Sequence, residues 1–218
     1  ETPFSCGLVW LRRDLRVSDH AALHHALQHC QRVHVVFVFD TEILDALPRA
    51  DRRVEFIRES LVEVDARLRE MAGHPQAGLI VRHGVAKDKI VKLAHHLQAQ
   101  AVFANHDDEP AAIERDNRLR TLLTQNGQDF LTFKDHVVFE RQEVLTQSGT
   151  PYGVFTPYKN AWLKKLNSFY LKPYPVEPYL AALAPRTADA ATLPSLVSMG
   201  FEDVDLATLG LQGGQARA

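Results

Sequence analysis

Short apolar runs alternate along this chain with stretches of helical periodicity. Gly7 to Leu11 reads as a first strand. Val33-His34-Val35-Val36-Phe37-Val38-Phe39 is β-branched and almost wholly apolar, the pattern of a strand covered on both faces in a parallel sheet. Leu79-Ile80-Val81 and Ala101-Val102-Phe103-Ala104 predict third and fourth strands, and Asp129 to Phe133 a fifth. Between strands, Val54, Ile57, Leu61, Val64, Leu68 and Met71 alternate spacings of three and four, which is one apolar face of a long helix closed by Gly73. Ala22, Leu23, Ala26 and Leu27 mark a first helix with Ser18 as its N-cap. Ile90, Leu93, Ala94 and Leu97 mark another, and Leu119, Leu122 and Leu123 a fourth, with Pro110 near its first turn and Gly127 after its end.

Strands alternating with helices require right-handed crossovers and a parallel sheet covered on both faces. The expected fold is therefore α/β: a Rossmann-like, doubly wound, five-stranded parallel sheet of order 3-2-1-4-5 in three α/β/α layers. Residues 6–135 are expected to form this domain. After residue 135 the pattern changes. Ser148-Gly149-Thr150-Pro151-Tyr152-Gly153 is turn chemistry between Val144-Leu145-Thr146 and Val154-Phe155, which predicts a hairpin or folded loop. A helix from about Pro157 to Phe169 follows, with Thr156 as cap, so residues 136–171 complete the domain. From Lys172 the chain is rich in Pro and Ala, including Pro173, Pro175, Pro178, Pro185 and Pro194, and residues 172–218 read as an interdomain linker or tail.

Composition narrows the classes. The 218 residues suffice for one such domain plus a tail, with 45% apolar and 24% charged residues. A formal net charge of −2 lacks the basic balance of a stand-alone DNA-binding domain. Cys6 and Cys30 make neither a disulfide framework nor a zinc spacing, so a reducing cytoplasm is the expected setting. No run has the apolar length of a membrane span, no signal peptide is expected from the N-terminal residues, and the lack of an initiator Met suggests a processed or engineered end.

Candidate chemistry lies at polar strand ends, where open α/β sheets bind ligands. Strand 1 ends in Arg12-Arg13-Asp14, strand 2 in Asp40-Thr41-Glu42, and strand 4 in Asn105-His106-Asp107-Asp108-Glu109. In a 3-2-1-4-5 order Arg12 and Asp14 would face Asn105, Asp107 and Glu109 across the switch point. Arg could grip a phosphate or the edge of a flat heterocycle, and Asn and Asp could read ring nitrogens and hydroxyls. Mutual ion pairing and helix capping are the competing explanation for the same charges. For Arg16 and Asp19, capping or an internal ion pair is the favoured reading. Gly-x-Gly-x-x-Gly, the phosphate-loop motif and the Gly-x-Ser-x-Gly elbow are all missing. His24-His25 and His95-His96 lack ligand spacing and are expected on solvated faces rather than at a metal. Lys159, Lys164 and Lys165 beside Trp162 could meet nucleic acid, but docking of Tyr158, Trp162 and Leu166 on neighbouring protein with wet lysines is preferred.

Four collinear blocks add a resemblance. Leu8-Val9-Trp10-Leu11-Arg12-Arg13-Asp14-Leu15-Arg16-Val17-Ser18-Asp19 resembles the opening strand and turn of the DNA photolyase and cryptochrome family. Arg53-Val54-Glu55-Phe56-Ile57-Arg58-Glu59-Ser60-Leu61 resembles its second-helix block. Asn105-His106-Asp107-Asp108-Glu109-Pro110, followed by Arg115-Asp116, resembles its fourth strand end. Tyr152-Gly153-Val154-Phe155-Thr156-Pro157-Tyr158-Lys159-Asn160-Ala161-Trp162 resembles a stretch shortly before the linker.

The resemblance implies the light-harvesting N-terminal domain of a photolyase, in which Arg12, Asp14, Asp40, Asn105, Asp107 and Glu109 position an antenna pigment and none is an acid–base catalyst. It implies that FAD, the pyrimidine dimer and the main DNA surface belong to a helical C-terminal domain, which is expected to be absent from this chain and to be its partner. In folate-antenna members an Asn-Glu pair stands where this chain has Ala111 and Ala112. Asp107 and Glu109-Pro110 match the deazaflavin arrangement instead, though Ala111-Ala112 replaces the usual Tyr-Gly. The arginine at Arg12 matches a position used by flavin-type antennas. The resemblance thus favours 8-hydroxy-5-deazaflavin or FMN over methenyltetrahydrofolate, with an empty pocket as the alternative. A cryptochrome photoreceptor domain and a free-standing α/β nucleotide-binding module are the other readings.

Overall fold

Five strands, β1 (Phe4–Leu11), β2 (Cys30–Asp40), β3 (Leu79–Gly84), β4 (Ala101–Asn105) and β5 (Asp129–Phe133), form one sheet in a computed structural model that describes residues 3–187 and 192–215. Neighbouring strands are all parallel and run in the order β3-β2-β1-β4-β5, as the alternation of apolar runs predicts. The helices are α1 (Ala21–His29), α2 (Thr41–Leu44), α3 (Arg52–Ala72), α4 (Ala86–His96), α5 (Pro110–Gln125) and α6 (Phe155–Lys165).

Side chains alternate across a strand, so each central strand feeds two cores. Val9 and Leu11 of β1 and Val35, Phe37 and Phe39 of β2 join Leu23, Leu27, Val54, Leu61, Val64 and Leu68 from α1 and α3. Leu8 and Trp10, with Val36 and Val38, join Ile90, Leu93, Leu119 and Leu123 from α4 and α5. Burial on both faces explains why β2 reads as a continuous apolar run. Each large side chain so buried contributes about 2 kcal/mol of transfer free energy. The long helix ends as its pattern predicts: Gly73 takes a left-handed φ of 60°, and its N–H reaches the Arg69 and Glu70 carbonyls.

Several local expectations are corrected. Ser18 does not cap α1, because the chain turns at Asp19, where φ is 46°, and the helix begins only at Ala21. His20 is the cap, its Nδ1 accepting from Leu23 N–H at 3.1 Å. Of the hairpin or folded loop expected around residues 144–155, it is the loop that forms, closed by Thr146 N–H to the Thr150 carbonyl at 2.9 Å. The helix after it starts at Phe155 and stops at Lys165, so Thr156 lies inside its first turn.

Residues after Lys172 follow a packed course. Ala184 N–H donates to the Val33 carbonyl at 2.9 Å, making Val33 and Leu183 bridge partners at the side of β2. Val176, Leu196, Met199 and Phe201 enter the core shared by α1 and α3. Arg186 pairs with buried Asp65 at 2.8 Å, and Glu55 accepts the N–H groups of Val204 and Leu206 at 2.7 and 3.1 Å. Apolar residues spaced between the prolines account for this anchoring, which proline content alone does not reveal. Residues 188–191 and 216–218 of the linker or tail lie outside the described residues.

Candidate functional site: a crevice at the strand ends

The carboxyl ends of β1, β2 and β4 open into a crevice of about 430 Å³, closed at the sides by α2, the start of α3 and the start of α5. Its position beside the β1–β4 switch point is where open α/β sheets take ligands, and its volume falls in the range of small-molecule sites. The walls are mainly apolar: Leu11, Phe37, Phe39, Ile43, Leu44, Ile57, Ala111 and Ala112 among them. Charged groups line it as well, namely Arg12, Arg13, Asp40, Glu42, Asp107, Glu109 and Arg115.

Four of the six residues singled out by sequence line this crevice: Arg12, Asp40, Asp107 and Glu109. Asp14 and Asn105 do not. Both are buried and spent on one another: the Asn105 amide donates to Asp14 Oδ2 at 2.7 Å while Asn105 Oδ1 accepts from Ala22 N–H at 2.9 Å. Asp14 Oδ1 takes the Arg12 N–H at 2.7 Å, and its Oδ2 lies 2.9 Å from His20 Nε2. Burial by itself would raise the Asp14 pKa. The bonds from His20, Arg12 N–H and Asn105 outweigh it and hold the carboxyl below the usual carboxylate range. These two residues therefore tie α1 to the ends of β1 and β4, a capping and register role.

The expected pairing across the crevice is also shifted by one residue. Arg13, not Arg12, reaches Asp107 at 3.3 Å and Glu109 at 2.7 Å. Its side chain remains 56% exposed at the mouth. Arg12 turns inward, pairs with Asp116 at 2.6 Å and donates to the Asn105 carbonyl. Alternation along β1 explains the exchange, since Arg12 follows Trp10 on the α5 face while Arg13 follows Leu11. Asp40 serves as the N-cap of α2 through Glu42 N–H at 3.2 Å and also accepts Ala86 N–H at 3.2 Å. Arg16 pairs with Asp135 at 2.7 Å, the internal ion pair favoured from sequence.

Arg115 was missed as a lining residue. It lies over the Trp10 ring, and burial together with the nearby Arg12 charge lowers its pKa from the usual guanidinium range. The available signal was its spacing of four and three from Ala111 and Ala112 on one helix face. The hydrophobic wall from α2 and α3 was missed as well, because Ile43, Leu44 and Ile57 carry no chemical signature.

Asp14, Asp135 and His136 approach within 4.8 Å of one another. Their carboxylates already receive His20, Asn105, Ala21 N–H and Arg16, so the cluster is a hydrogen-bond hub. His24 and His25 are half-buried on a face that the chain around residues 174–179 partly covers. His24 Nδ1 meets the Pro175 carbonyl at 2.5 Å, and His25 stacks on Phe133 with ring centroids 4.4 Å apart. On α6, Trp162 meets Phe139 edge-on at 5.5 Å, and Lys165 donates to the Glu143 carbonyl while Lys159 and Lys164 stay exposed. No helix among the described residues is long and apolar enough to cross a membrane.

Comparison with known proteins places this geometry in a family. Residues 7–179 match the sequence model of DNA photolyase. The deoxyribodipyrimidine photo-lyase of Halobacterium salinarum is 34% identical over 92% of this chain and 42% of its own length. That of Synechococcus sp. is 31% identical over 89% of this chain and 40% of its own. This chain thus spans about two fifths of the curated relatives it matches. The crystal structure of the archaeal photolyase from Sulfolobus tokodaii, solved with two FAD molecules and taken to imply a novel light-harvesting cofactor, superposes with a TM-score of 0.72 at 25% identity, covering 97% of this chain and 44% of that one. The match over most of its length, with the sheet order and the strand-end crevice in place, makes this chain a member of the DNA photolyase family.

Proposed function

We propose that this chain is the light-harvesting domain of a DNA photolyase and that its crevice holds a flat flavin-type pigment, 8-hydroxy-5-deazaflavin or FMN. The observation that carries the reading is the crevice itself: mainly apolar walls around about 430 Å³, with cations and carboxylates among them.

The lining departs from a folate site at one place: Ala111 and Ala112 put no amide or carboxylate on the first turn of α5, while Asp107 and Glu109 are spanned by Arg13. A three-ring system instead needs apolar contact on its faces, which Phe37, Phe39, Leu44 and Ile57 offer. Arg13 at the mouth is the cation placed to meet a phosphate or the ionised edge of a deazaflavin. Asp40 and Arg12 fix the walls, through the helix caps and the Asp116 pair respectively. When bound, the pigment supplies absorption of near-UV or blue light and passes its excitation to FAD in a C-terminal domain of the same protein. DNA binding and dimer repair belong to that domain, and Asp14 and Asn105 act only by holding β1, β4 and α1 in register.

Titration of the purified chain with FMN, 8-hydroxy-5-deazaflavin and methenyltetrahydrofolate, followed by absorption and fluorescence, tests the proposal. Saturable one-to-one binding of a flavin-type ring with weaker folate binding supports it. Preference for the folate overturns the pigment assignment, and a protein with this pigment but no dimer repair in full length favours the cryptochrome reading.

A further inference from the structure

Helix α6 is anchored through Trp162 and Lys165. Trp162 meets Phe139 edge-on at 5.5 Å, Lys165 Nζ lies 5.1 Å from the centroid of the same ring, and Lys165 also donates to the Glu143 carbonyl. None of the residues of α6 is buried, and none enters either core of the sheet. Phe155, Lys159 and Leu163 stand four apart, so they form one stripe along the helix. All three are exposed, Phe155 at 72% and Leu163 at 53%. Val154 just before the helix, and Phe169 and Leu171 shortly after it, are exposed as well. Apolar side chains gathered in this way mark a surface that another surface covers. The same stretch is cationic: residues 154–172 carry Lys159, Lys164, Lys165 and Lys172 and no Asp or Glu, in a chain whose net charge is −2.

We propose that the Phe155–Lys159–Leu163 stripe is the docking surface for the C-terminal domain of the same protein, which meets it with an apolar patch rimmed by carboxylates. The proposal rests on the reading of this chain as one domain of a longer photolyase. Most of the length of the photolyase relatives lies outside the part that this chain matches. The path of the chain brings that domain to the right side. The turn after β1 anchors three segments: Arg16 pairs with Asp135, just past β5, at 2.7 Å, Asp19 Oδ1 accepts the Tyr174 N–H at 2.7 Å, and Ser18 Oγ accepts from the Gln215 amide at 3.0 Å. Tyr174 is three residues beyond Leu171, at most about 11 Å along the chain. Gln215 is the last described residue, and the Gly213 and Gly214 N–H groups fix its approach by reaching Glu59 and Ser60 of α3 at 2.7 and 3.0 Å. A domain continuing from Gln215 therefore starts beside the segment that presents α6. Charge decides against a second copy of this chain, because two such faces pressed together would set Lys159 and Lys164 of each copy against those of the other. A nucleic-acid strand would suit the lysines but not Val154, Leu163 and Leu171, since bases stack on flat rings and phosphates take polar contacts.

Hydrogen exchange read by mass spectrometry, on the full-length protein and on this chain alone, tests the proposal. Amides of residues 155–165 are expected to exchange at least about tenfold more slowly in the full-length protein. There Leu163→Asp returns them to the rates of this chain alone, Lys159→Glu does the same by setting like charges together, and Lys159→Arg keeps the protection. In this chain alone Leu163→Asp leaves the thermal midpoint unchanged, because the residue lies outside both cores. Equal exchange of α6 in the two proteins overturns the inference, and so does undiminished protection in full-length Leu163→Asp. Self-association of this chain that Leu163→Asp abolishes assigns the stripe to a second copy and overturns it as well. Binding of single-stranded DNA by this chain that Lys159→Glu abolishes assigns it to nucleic acid, with the same consequence. A full-length protein without a further domain overturns this inference together with the reading it rests on, whereas pigment binding by a full-length protein with α6 unprotected overturns this inference alone.

Discussion

The Asn105 side chain donates to Asp14 Oδ2 at 2.7 Å beneath the crevice, joining the end of β4 to the turn after β1. Through Ala22 N–H on one side and Arg12 N–H on the other, the pair also seats α1 and sets the direction of the Arg12-Arg13 segment. Position at a strand end made both residues look like ligand contacts, but their burial makes them the frame on which the contacts are hung.

Asp14→Ala should destabilise the chain by about 3–5 kcal/mol, because it strands the buried His20 and Asn105 side chains without their acceptor. Urea denaturation at neutral pH measures this. The folded-state pKa of Asp14 is lowered, so its stabilising contribution is present above the ordinary carboxylate pKa and is lost as pH falls through the lower folded value. The gap in stability between the unaltered chain and Asp14→Ala should therefore narrow in strong acid.

His25 carries a second pH dependence of opposite origin. Burial first, then the neighbouring His24 and His29, push its pKa down to about 4, so the fold favours the neutral ring stacked on Phe133. A histidine lowered in the fold costs stability as pH falls from its unfolded value of about 6.5 toward about 4. His25→Gln should flatten the midpoint of thermal unfolding between those limits, as measured by circular dichroism across the series. A slope equal to that of the unaltered chain would contradict the assignment.

The C-terminal strap should be released by one carboxylate. Glu55 is buried and accepts two backbone N–H groups, from Val204 and Leu206. Glu55→Ala should cost about 2 kcal/mol, the worth of hydrogen bonds to a charged acceptor. Cleavage by a nonspecific protease should concentrate at residues 202–211, read by mass spectrometry. Cleavage rates matching the unaltered chain would show that the apolar contacts of Leu196, Met199 and Phe201 hold the strap unaided.

Sheet order and helix faces were legible because they rest on local periodicity: β2 is apolar throughout, and α3 buries Val54, Leu61, Val64 and Leu68 at the spacing that predicts it. The strand-end location of the crevice was legible because it follows from topology. The partner of each charged side chain was not. Which of Arg12 and Arg13 faces Asp107 depends on strand parity relative to a helix that arrives about a hundred residues later. The replacement of Ser18 by His20 as a cap depends on one residue, Asp19, entering the left-handed region. Arg115 gained its meaning only when α5 was laid against Trp10.

The central claim is that a flavin-type pigment occupies the crevice between α2, α3 and the start of α5. Ala111 is exposed on the first turn of α5 and lines this space, so Ala111→Trp should obstruct it while leaving the cores untouched. Fluorescence titration with FMN of the unaltered chain and of Ala111→Trp, at equal thermal stability, is the most direct measurement. The account predicts saturable one-to-one binding to the unaltered chain and an affinity at least about tenfold weaker in the variant. Equal affinity in the two proteins, or no saturable binding to either, would contradict it.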